Sequence, residues 1–191
     1  RFPMSPNEVL IHTLYSGGGA FFYFIFSTLF RKILLYREER RTLSVALFST
    51  AEYMVRRSRF YDAETDLDDN YRDLIRVQAD MTEAHQAARD MVLRELAKGG
   101  DSHAEAHRLA LLSIFVNMVS LLDSLVATHT DYANLRRRMA DSDFMIFARD
   151  ALFKMAIDVG HIALNVSRHR KTKQRQSVKA ELRALEFELE R

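Results

Sequence analysis

The sequence predicts an all-α protein in which one transmembrane helix continues into an antiparallel cytoplasmic helical bundle. Both prolines, Pro3 and Pro6, lie at the amino end, so none interrupts a later helix. The composition is rich in Leu, Ala, Arg and Glu, which favour helix. Residues 9–30 carry no formal charge, and as a helix they extend about 33 Å, enough to cross the hydrocarbon core of a bilayer. We therefore divide the chain into a membrane segment, 1–36, and a helical bundle domain, 37–191.

The overall composition excludes several classes of protein. The chain has 191 residues, a formal net charge of +2 and no cysteine. So small a net charge gives no reason to expect nucleic acid as a partner. Without cysteine there is no disulfide, thiol nucleophile or thiolate-bound zinc. The chain starts at Arg1 and stops within a helical pattern, so we expect a piece of a longer protein.

The flanks of the uncharged run predict its orientation. A signal peptide needs a small-residue cleavage site, but this run ends at Arg31 and Lys32. A buried helix of a soluble protein remains the other alternative. Positive charge, including Arg37, is concentrated on the carboxyl side, which the positive-inside rule places in the cytoplasm. We predict that the anchors at the cytoplasmic membrane interface are Arg31, Lys32, Tyr36 and Arg37.

Small residues near the start of this run predict a contact between helices. Three successive glycines lower helix propensity by about 1 kcal/mol each. In lipid, however, small residues let helix backbones approach closely. We predict that this helix packs against other membrane helices through Ser16, Gly17, Gly18, Gly19 and Ala20. A flexible kink without a specific neighbour is the alternative.

The helix is expected to run on into the cytoplasm. One face of the continuation consists of Leu43, Leu47, Thr50 or Ala51, Met54, and Arg57 or Ser58. The acidic loop 62–70 suits the start of a second helix, where carboxylates cap free N–H groups. It lacks the Gly and Glu that a calcium-binding EF-hand loop requires in register.

A second helix is predicted from about Leu67 to Ala97. Its apolar stripe consists of Leu74, Gln78, Met81, His85, Ala88 and Val92. We interpret His85 as a core histidine with one nitrogen hydrogen-bonded. Asp101 or Ser102 is expected to cap the next helix.

The third and fourth helices differ in polarity. The third is uncharged from residue 109 to 122, which is shorter than the roughly 20 residues of a membrane span. This length favours a buried helix of a bundle over a second span. After a short basic helix around residues 135–139, Asp141 to Asp143 are expected to cap the fourth. Its predicted inner face consists of Phe144, Ala148, Ala151, Met155, Ile162 and Val166. A basic tail then leads to a heptad-like seam: Val178, Leu182, Leu185 and Leu189.

No catalytic or cofactor motif stands out. His103 and His107 are four residues apart, but there is no third ligand and no His-Glu-x-x-His pattern. There is no phosphate-binding glycine loop and no nucleophile elbow. We therefore expect no enzyme activity, no metal, no cofactor and no catalytic residue.

Two stretches carry a resemblance to a known family. Residues 18–54 read GGAFFYFIFSTLFRKILLYREERRTLSVALFSTAEYM. Residues 121–135 read LLDSLVATHTDYANL, and residues 141–144 read DSDF. The sequence resembles FUSC-type, YccS-like bacterial inner-membrane proteins over nearly its whole length. A glycine-rich aromatic helix leading into a cytoplasmic helix is the shared feature.

The resemblance implies a multi-pass transporter with two membrane bundles, each followed by cytoplasmic helices. This chain would hold the last span of the first bundle and the cytoplasmic region after it. Its partners would be the lipid bilayer and other transmembrane helices, of the same protein or of a homo-oligomer. Relatives are linked to export of small aromatic carboxylic acids, so a small-molecule substrate is expected, with its binding residues unknown. The alternative is a membrane-anchored helical interaction or oligomerisation module that does not transport.

Overall fold

The computed structural model describes residues 6–97, 102–127, 130–139, 142–170 and 179–190. Most of these residues are helical. Side chains at 6–9, 31–33, 35–36, 102–104, 181 and 188–190 lie outside the description. The helices are α1 (Pro6–Ser58), a 3₁₀ turn (Arg59–Tyr61), α2 (Leu67–Leu96), α3 (Ser102–Val126), α4 (Tyr132–Arg138), α5 (Phe144–Ser167) and α6 (Lys179–Glu190). No strand occurs among the described residues, which confirms the all-α fold class.

The chain divides into two compact units, Arg1–Glu38 and Glu39–Arg191. The predicted border at residues 36 and 37 concerns the edge of the membrane, so it stays a prediction. In the first unit, every described side chain from residue 10 to 30 is exposed. In the second, a hydrophobic core is shared by α1, α2, α3 and α5.

The carboxyl-terminal part of α1 supplies one wall of that core. Every residue of its predicted inner face is buried: Leu43, Leu47, Thr50, Ala51, Met54, Arg57 and Ser58. A buried hydrogen bond ties this wall to α5, since Ser44 Oγ donates to the carbonyl of Ala163 over 2.9 Å. The four-and-three spacing read from the sequence therefore gave the correct face of this helix.

The second helix begins and packs largely as predicted. Asp66 is its N-cap, and its carboxylate accepts from the backbone N–H of Asp69 over 2.9 Å. Met81, Ala88 and Val92 of the predicted stripe are buried. Gln78 is exposed, and its neighbour Val77 is buried instead. The apolar side chain replaces the amide in the core because burying an unpaired amide costs free energy.

The end of α1 is fastened by a side chain from α4. The guanidinium of Arg136 donates to the carbonyl of Phe60 over 2.9 Å, of Thr65 over 2.6 Å and of Arg59 over 3.2 Å. The Phe60 ring also lies 4.7 Å from the Tyr132 ring, between centroids. The predicted basic helix thus contains an arginine that binds the backbone of the 3₁₀ turn and of the loop before α2.

The inner face of α5 is rotated from the one predicted. Its buried residues are Met145, Ala151, Ala156, Val159 and Ala163. Of the predicted face, Ala151 is buried, while Met155, Ile162 and Val166 pack against the core partly exposed. Asp143 occupies the N-cap position, but the capping contact is the 3.1 Å hydrogen bond from the N–H of Phe144 to Ser142 Oγ. Asp141 lies outside the described residues.

The third helix is far more exposed than the sequence suggests. In the described part of the chain, one helix, spanning Glu105–Val126, is long and apolar enough to cross a membrane, and 11% of its most apolar window is buried. Leu111 and Met118 enter the core, whereas Leu109 and Val116 are 55% and 53% exposed. The expected burial of this helix is therefore wrong. Length and composition alone also do not single out the predicted span in α1.

The last helix, α6, lies against α5. Leu182 of its predicted seam is 55% exposed, and Leu185 is half-buried. Val178 and the side chain of Leu189 lie outside the description. The capping prediction at Asp101 also falls on a residue that is not described.

Candidate functional site

The predicted helix-packing segment lies on the first unit, in the middle of an exposed stretch of α1. Ser16, Gly17, Gly18, Gly19 and Ala20 are all helical and exposed. A Cβ added to any of the three glycines would meet no atom of the described chain within 4 Å. The segment therefore offers free space around the helix, and its packing against another helix stays a prediction.

Aromatic rings cover the turns after the glycines. Phe22, Phe26 and Phe30 stack along one side, with centroid separations of 6.3 and 5.5 Å. Phe21 and Phe24 are exposed elsewhere on the helix. In water, so much exposed apolar surface on every side would be costly.

Two polar side chains in this stretch, Thr28 and Ser16, have a partner within the helix. Thr28 Oγ1 donates to the carbonyl of Phe24 over 2.8 Å. Ser16 Oγ lies 3.4 Å from His12 Nδ1, one turn away. A helix whose polar groups are paired internally can enter hydrocarbon at little cost.

Of the four predicted interface anchors, the structure describes the side chain of Arg37. Arg37 is exposed, as an anchor in the headgroup region would be. The side chains of Arg31, Lys32 and Tyr36 lie outside the description. Their role at the membrane edge stays a prediction.

A buried cluster of ionisable groups lies at the start of the second unit, and the sequence did not point to it. Glu39 is 6% exposed, and its Oε2 lies 3.1 Å from His107 Nε2. Burial raises the pKa of Glu39 above its usual value; the nearby Glu95 carboxyl adds to this rise, and the His107 hydrogen bond opposes it. Glu39, Glu95 and His107 come from α1, α2 and α3, so no local motif could have revealed the cluster.

The contact with Glu39 gives a structural role to His107, one of the two histidines noted on α3. His107 bonds to a carboxylate of α1, while the His103 side chain is not described. Among the described residues, no group of three or more His, Cys, Asp or Glu side chains is placed to hold a metal ion.

Described residues of the second unit line two open cavities. One, of about 490 Å³, lies beside the Arg136 contacts and is lined by both acidic and basic groups, including Asp62, Glu64 and Arg149. The other, of about 370 Å³, lies beside His107. Its lining residues are Arg40, His107, Ala110, Leu111, Ile114, Asn165, Val166, His169 and Arg170. The second cavity combines cationic and apolar side chains and has no acidic residue among its described lining.

Comparison with known proteins decides the family. The family model described as FUSC-like inner membrane protein yccS matches residues 3–191. The chain belongs to the FUSC-like family of inner-membrane proteins. This confirms the resemblance drawn from residues 18–54 and 121–135. No curated protein and no solved structure matches the chain.

Membership in the FUSC-like family places the chain in the bacterial inner membrane and connects it with transport. In an inner-membrane protein, the lipid bilayer is the natural environment for an exposed aromatic surface such as that of α1. The family description names no substrate and no oligomeric state.

Proposed function

We propose that this chain is part of an inner-membrane transporter that exports small aromatic carboxylic acids or related compounds. One observation carries the proposal beyond the family. Residues 10–30 expose apolar side chains on every side of α1, and the turn at Gly17 to Gly19 is open all round. A lone anchor gains nothing from a slim turn, whereas a span within a bundle of helices gains close packing.

On this proposal the chain contributes one span of a multi-pass protein, and the residues after about 36 lie in the cytoplasm. The charge distribution supports this orientation, because Arg31, Lys32 and Arg37 flank the carboxyl side of the span. We assign no catalytic step, metal or cofactor to the chain. The substrate path would lie mainly in other spans.

The test is a transport assay with the full-length protein in its own bacterium. Cells lacking the gene are expected to accumulate more labelled benzoate or 4-hydroxybenzoate than wild-type cells, and to grow less well in its presence. A plasmid copy should restore both properties. Equal accumulation and growth for a panel of aromatic acids would remove the support for this substrate class.

The alternative function is a membrane-anchored interaction or oligomerisation module. The exposed apolar side of α3, with Leu109 and Val116, favours it, because such a surface can bind another protein. The complete reading frame discriminates between the two. Further hydrophobic spans before this chain support a transporter, whereas a single span supports the anchor.

A further inference from the structure

The cavity of about 370 Å³ beside His107 is built from three helices of the second unit. Arg40 comes from α1, where it follows the membrane segment, 1–36, by about one helical turn along the chain. Leu111 and Ile114 come from α3. Val166, His169 and Arg170 come from the end of α5 and the residues just after it. A volume of this size accommodates a small ligand or one end of a larger one.

The end of α5 holds its two basic residues in a defined place. The N–H of Arg170 donates to the carbonyl of Asn165 over 2.9 Å, and that of His169 to Val166 over 3.3 Å. This pair of hydrogen bonds is a Schellman motif, in which the chain turns back at the helix end. The motif places His169 at the position usually occupied by glycine, with φ at 54°. A side chain there is strained, and strained residues concentrate at functional sites.

The electrostatic character of the cavity is positive. Arg40 and Arg170 carry fixed charge, and within the described part of the chain neither is assigned an ion pair or a side-chain hydrogen bond. His169 adds an imidazole to the lining. Glu39 does not line the cavity and contacts His107 instead. A ligand with negative charge is therefore favoured over a cation or a neutral molecule.

The walls of the cavity are apolar. Leu111 is buried, and Ile114 and Val166 pack against the core while remaining partly exposed. Ala110 adds a further apolar side chain to the lining on α3. A free inorganic anion would use the arginines but leave these side chains without a partner. A molecule with an anionic end and a hydrocarbon end satisfies both.

We propose that this cavity binds the phosphate group of an anionic phospholipid, with the arginines on the phosphate and the acyl chains along α3. Guanidinium groups bind phosphate oxygens through paired hydrogen bonds. Basic pockets on the cytoplasmic side of membrane proteins bind lipid headgroups in this way. The sequence after Arg170 continues with Lys171, Lys173 and Arg175, which adds positive charge along the chain.

The test measures lipid binding to the full chain, purified in a neutral detergent. Unfolding midpoints are recorded with added dioctanoyl phosphatidylglycerol, dioctanoyl phosphatidylcholine, inorganic phosphate or 4-hydroxybenzoate. We expect phosphatidylglycerol to raise the midpoint in a saturable way, because a ligand that binds only the folded state stabilises it. Phosphatidylcholine should have no such effect, and phosphate should act only weakly.

Three variants locate the effect in the cavity. Arg40→Gln and Arg170→Gln are each expected to weaken the apparent affinity for phosphatidylglycerol by about tenfold, because each loses a charged pair with the phosphate. His169→Gly should raise the unfolding midpoint without lipid, since glycine suits the backbone there, and yet weaken lipid binding. Arg89→Gln, an exposed arginine on α2, serves as the control and should bind like the unmodified chain.

Several results would overturn the proposal. Unchanged affinity in both arginine variants would remove the cavity as the site. If those variants do not fold, unchanged affinity in His169→Gly would do the same. A full effect of phosphate alone would make the ligand a free phosphate, and an effect of 4-hydroxybenzoate alone would make the cavity a substrate site. Because the readout is binding, these results are independent of whether the protein exports aromatic acids.

Discussion

His85 lies on the inner side of α2, where its Nε2 is 2.8 Å from Thr50 Oγ1. The hydroxyl of Thr50 in turn donates to the carbonyl of Ala46 over 2.8 Å. Thr50 has a single proton to donate, so His85 must supply the N–H of the first hydrogen bond. This confirms the interpretation of His85 as a core histidine with one nitrogen hydrogen-bonded.

The environment of His85 predicts a dependence of stability on pH. Burial lowers its pKa below the usual value of 6.5, so the unfolded chain binds this proton more readily than the folded one. Its contribution to the free energy of unfolding is therefore complete above about pH 6.5 and is lost as the pH falls towards the folded-state pKa. We expect unfolding midpoints to drop between pH 7.5 and 5, and His85→Gln to lessen this drop.

The contribution of Glu39 to stability changes with pH in the opposite direction, so the measurements on His85 must control for it. Its pKa is raised, so its contribution is present below about pH 4.5 and is lost as the pH rises through the folded-state pKa. The measurements on His85 are therefore made in a Glu39→Gln background. An identical pH profile with and without His85→Gln in that background would contradict the assignment.

At the scale of an element, α4 shows how adjacent residues of one type take different roles. Arg136 donates to three backbone carbonyls near the end of α1, whereas Arg137 is exposed. We expect Arg136→Gln to lower the free energy of unfolding by about 2 kcal/mol or more, because carbonyls lose a charged donor. Arg137→Gln should change it by less than about 0.5 kcal/mol.

Denaturant titration of the two purified variants under one set of conditions makes this comparison. The pair has the same change of charge in the same helix, so net charge and helix propensity cancel. Equal loss of stability in both variants would show that the Arg136 contacts do not stabilise the helix end.

The glycine turn of α1 gives a prediction about packing. Gly18→Leu improves helix propensity and apolarity, and its Cβ has free space within the described chain. Both effects would favour a lone membrane helix. If Gly18 instead contacts another span, the added side chain overpacks that contact at a cost of about 1–3 kcal/mol.

We therefore expect Gly18→Leu to reduce transport by the full-length protein while its amount in the membrane is kept. Phe22→Leu, one turn further on, is the apolar control and should transport normally. Unimpaired transport by Gly18→Leu would leave the turn as a kink without a specific neighbour.

The same elements show what a single sequence can and cannot predict. The inner face of α1 and most of the stripe on α2 were predicted correctly, because the period of a helix is a local property. The contacts of Arg136 with the end of α1, of Ser44 with α5 and of His107 with Glu39 join distant parts of the chain. No spacing rule encodes such pairs. The basic cavity was missed for the same reason.

At the scale of the whole molecule, α1 and α3 are two helices with an apolar surface that lipid could contact. The aromatic stretch of α1 is the predicted span, whereas α3 is the helix that meets the criteria of length and apolarity among the described residues. In the second unit, α3 shares its core with α2 and α5. Both partners carry charged residues, such as Arg89 and Asp90 on α2 and Lys154 on α5. Moving α3 into lipid would bring those charges with it, at high cost.

The natural lack of cysteine makes this prediction easy to test. Single cysteines are introduced as Phe24→Cys, Val116→Cys and Arg89→Cys, and membranes opened to both sides are treated with a water-soluble maleimide. We expect Phe24→Cys to be protected, and Val116→Cys to react as readily as the Arg89→Cys control. Protection of Val116→Cys would mean that α3 also crosses the membrane, and reaction of Phe24→Cys would exclude the span in α1.

The polar side chains of α3 bond within their own helix. Asn117 Nδ2 donates to the carbonyl of Ser113 over 2.8 Å, and Ser124 Oγ donates to that of Ser120 over 2.9 Å. While the chain is being synthesised, the insertion machinery therefore meets in α3 a segment with little to repel it from the bilayer. The contacts of Leu111 and Met118 with the core shared by α1, α2 and α5 are what hold α3 in the bundle, so these contacts have to compete with insertion.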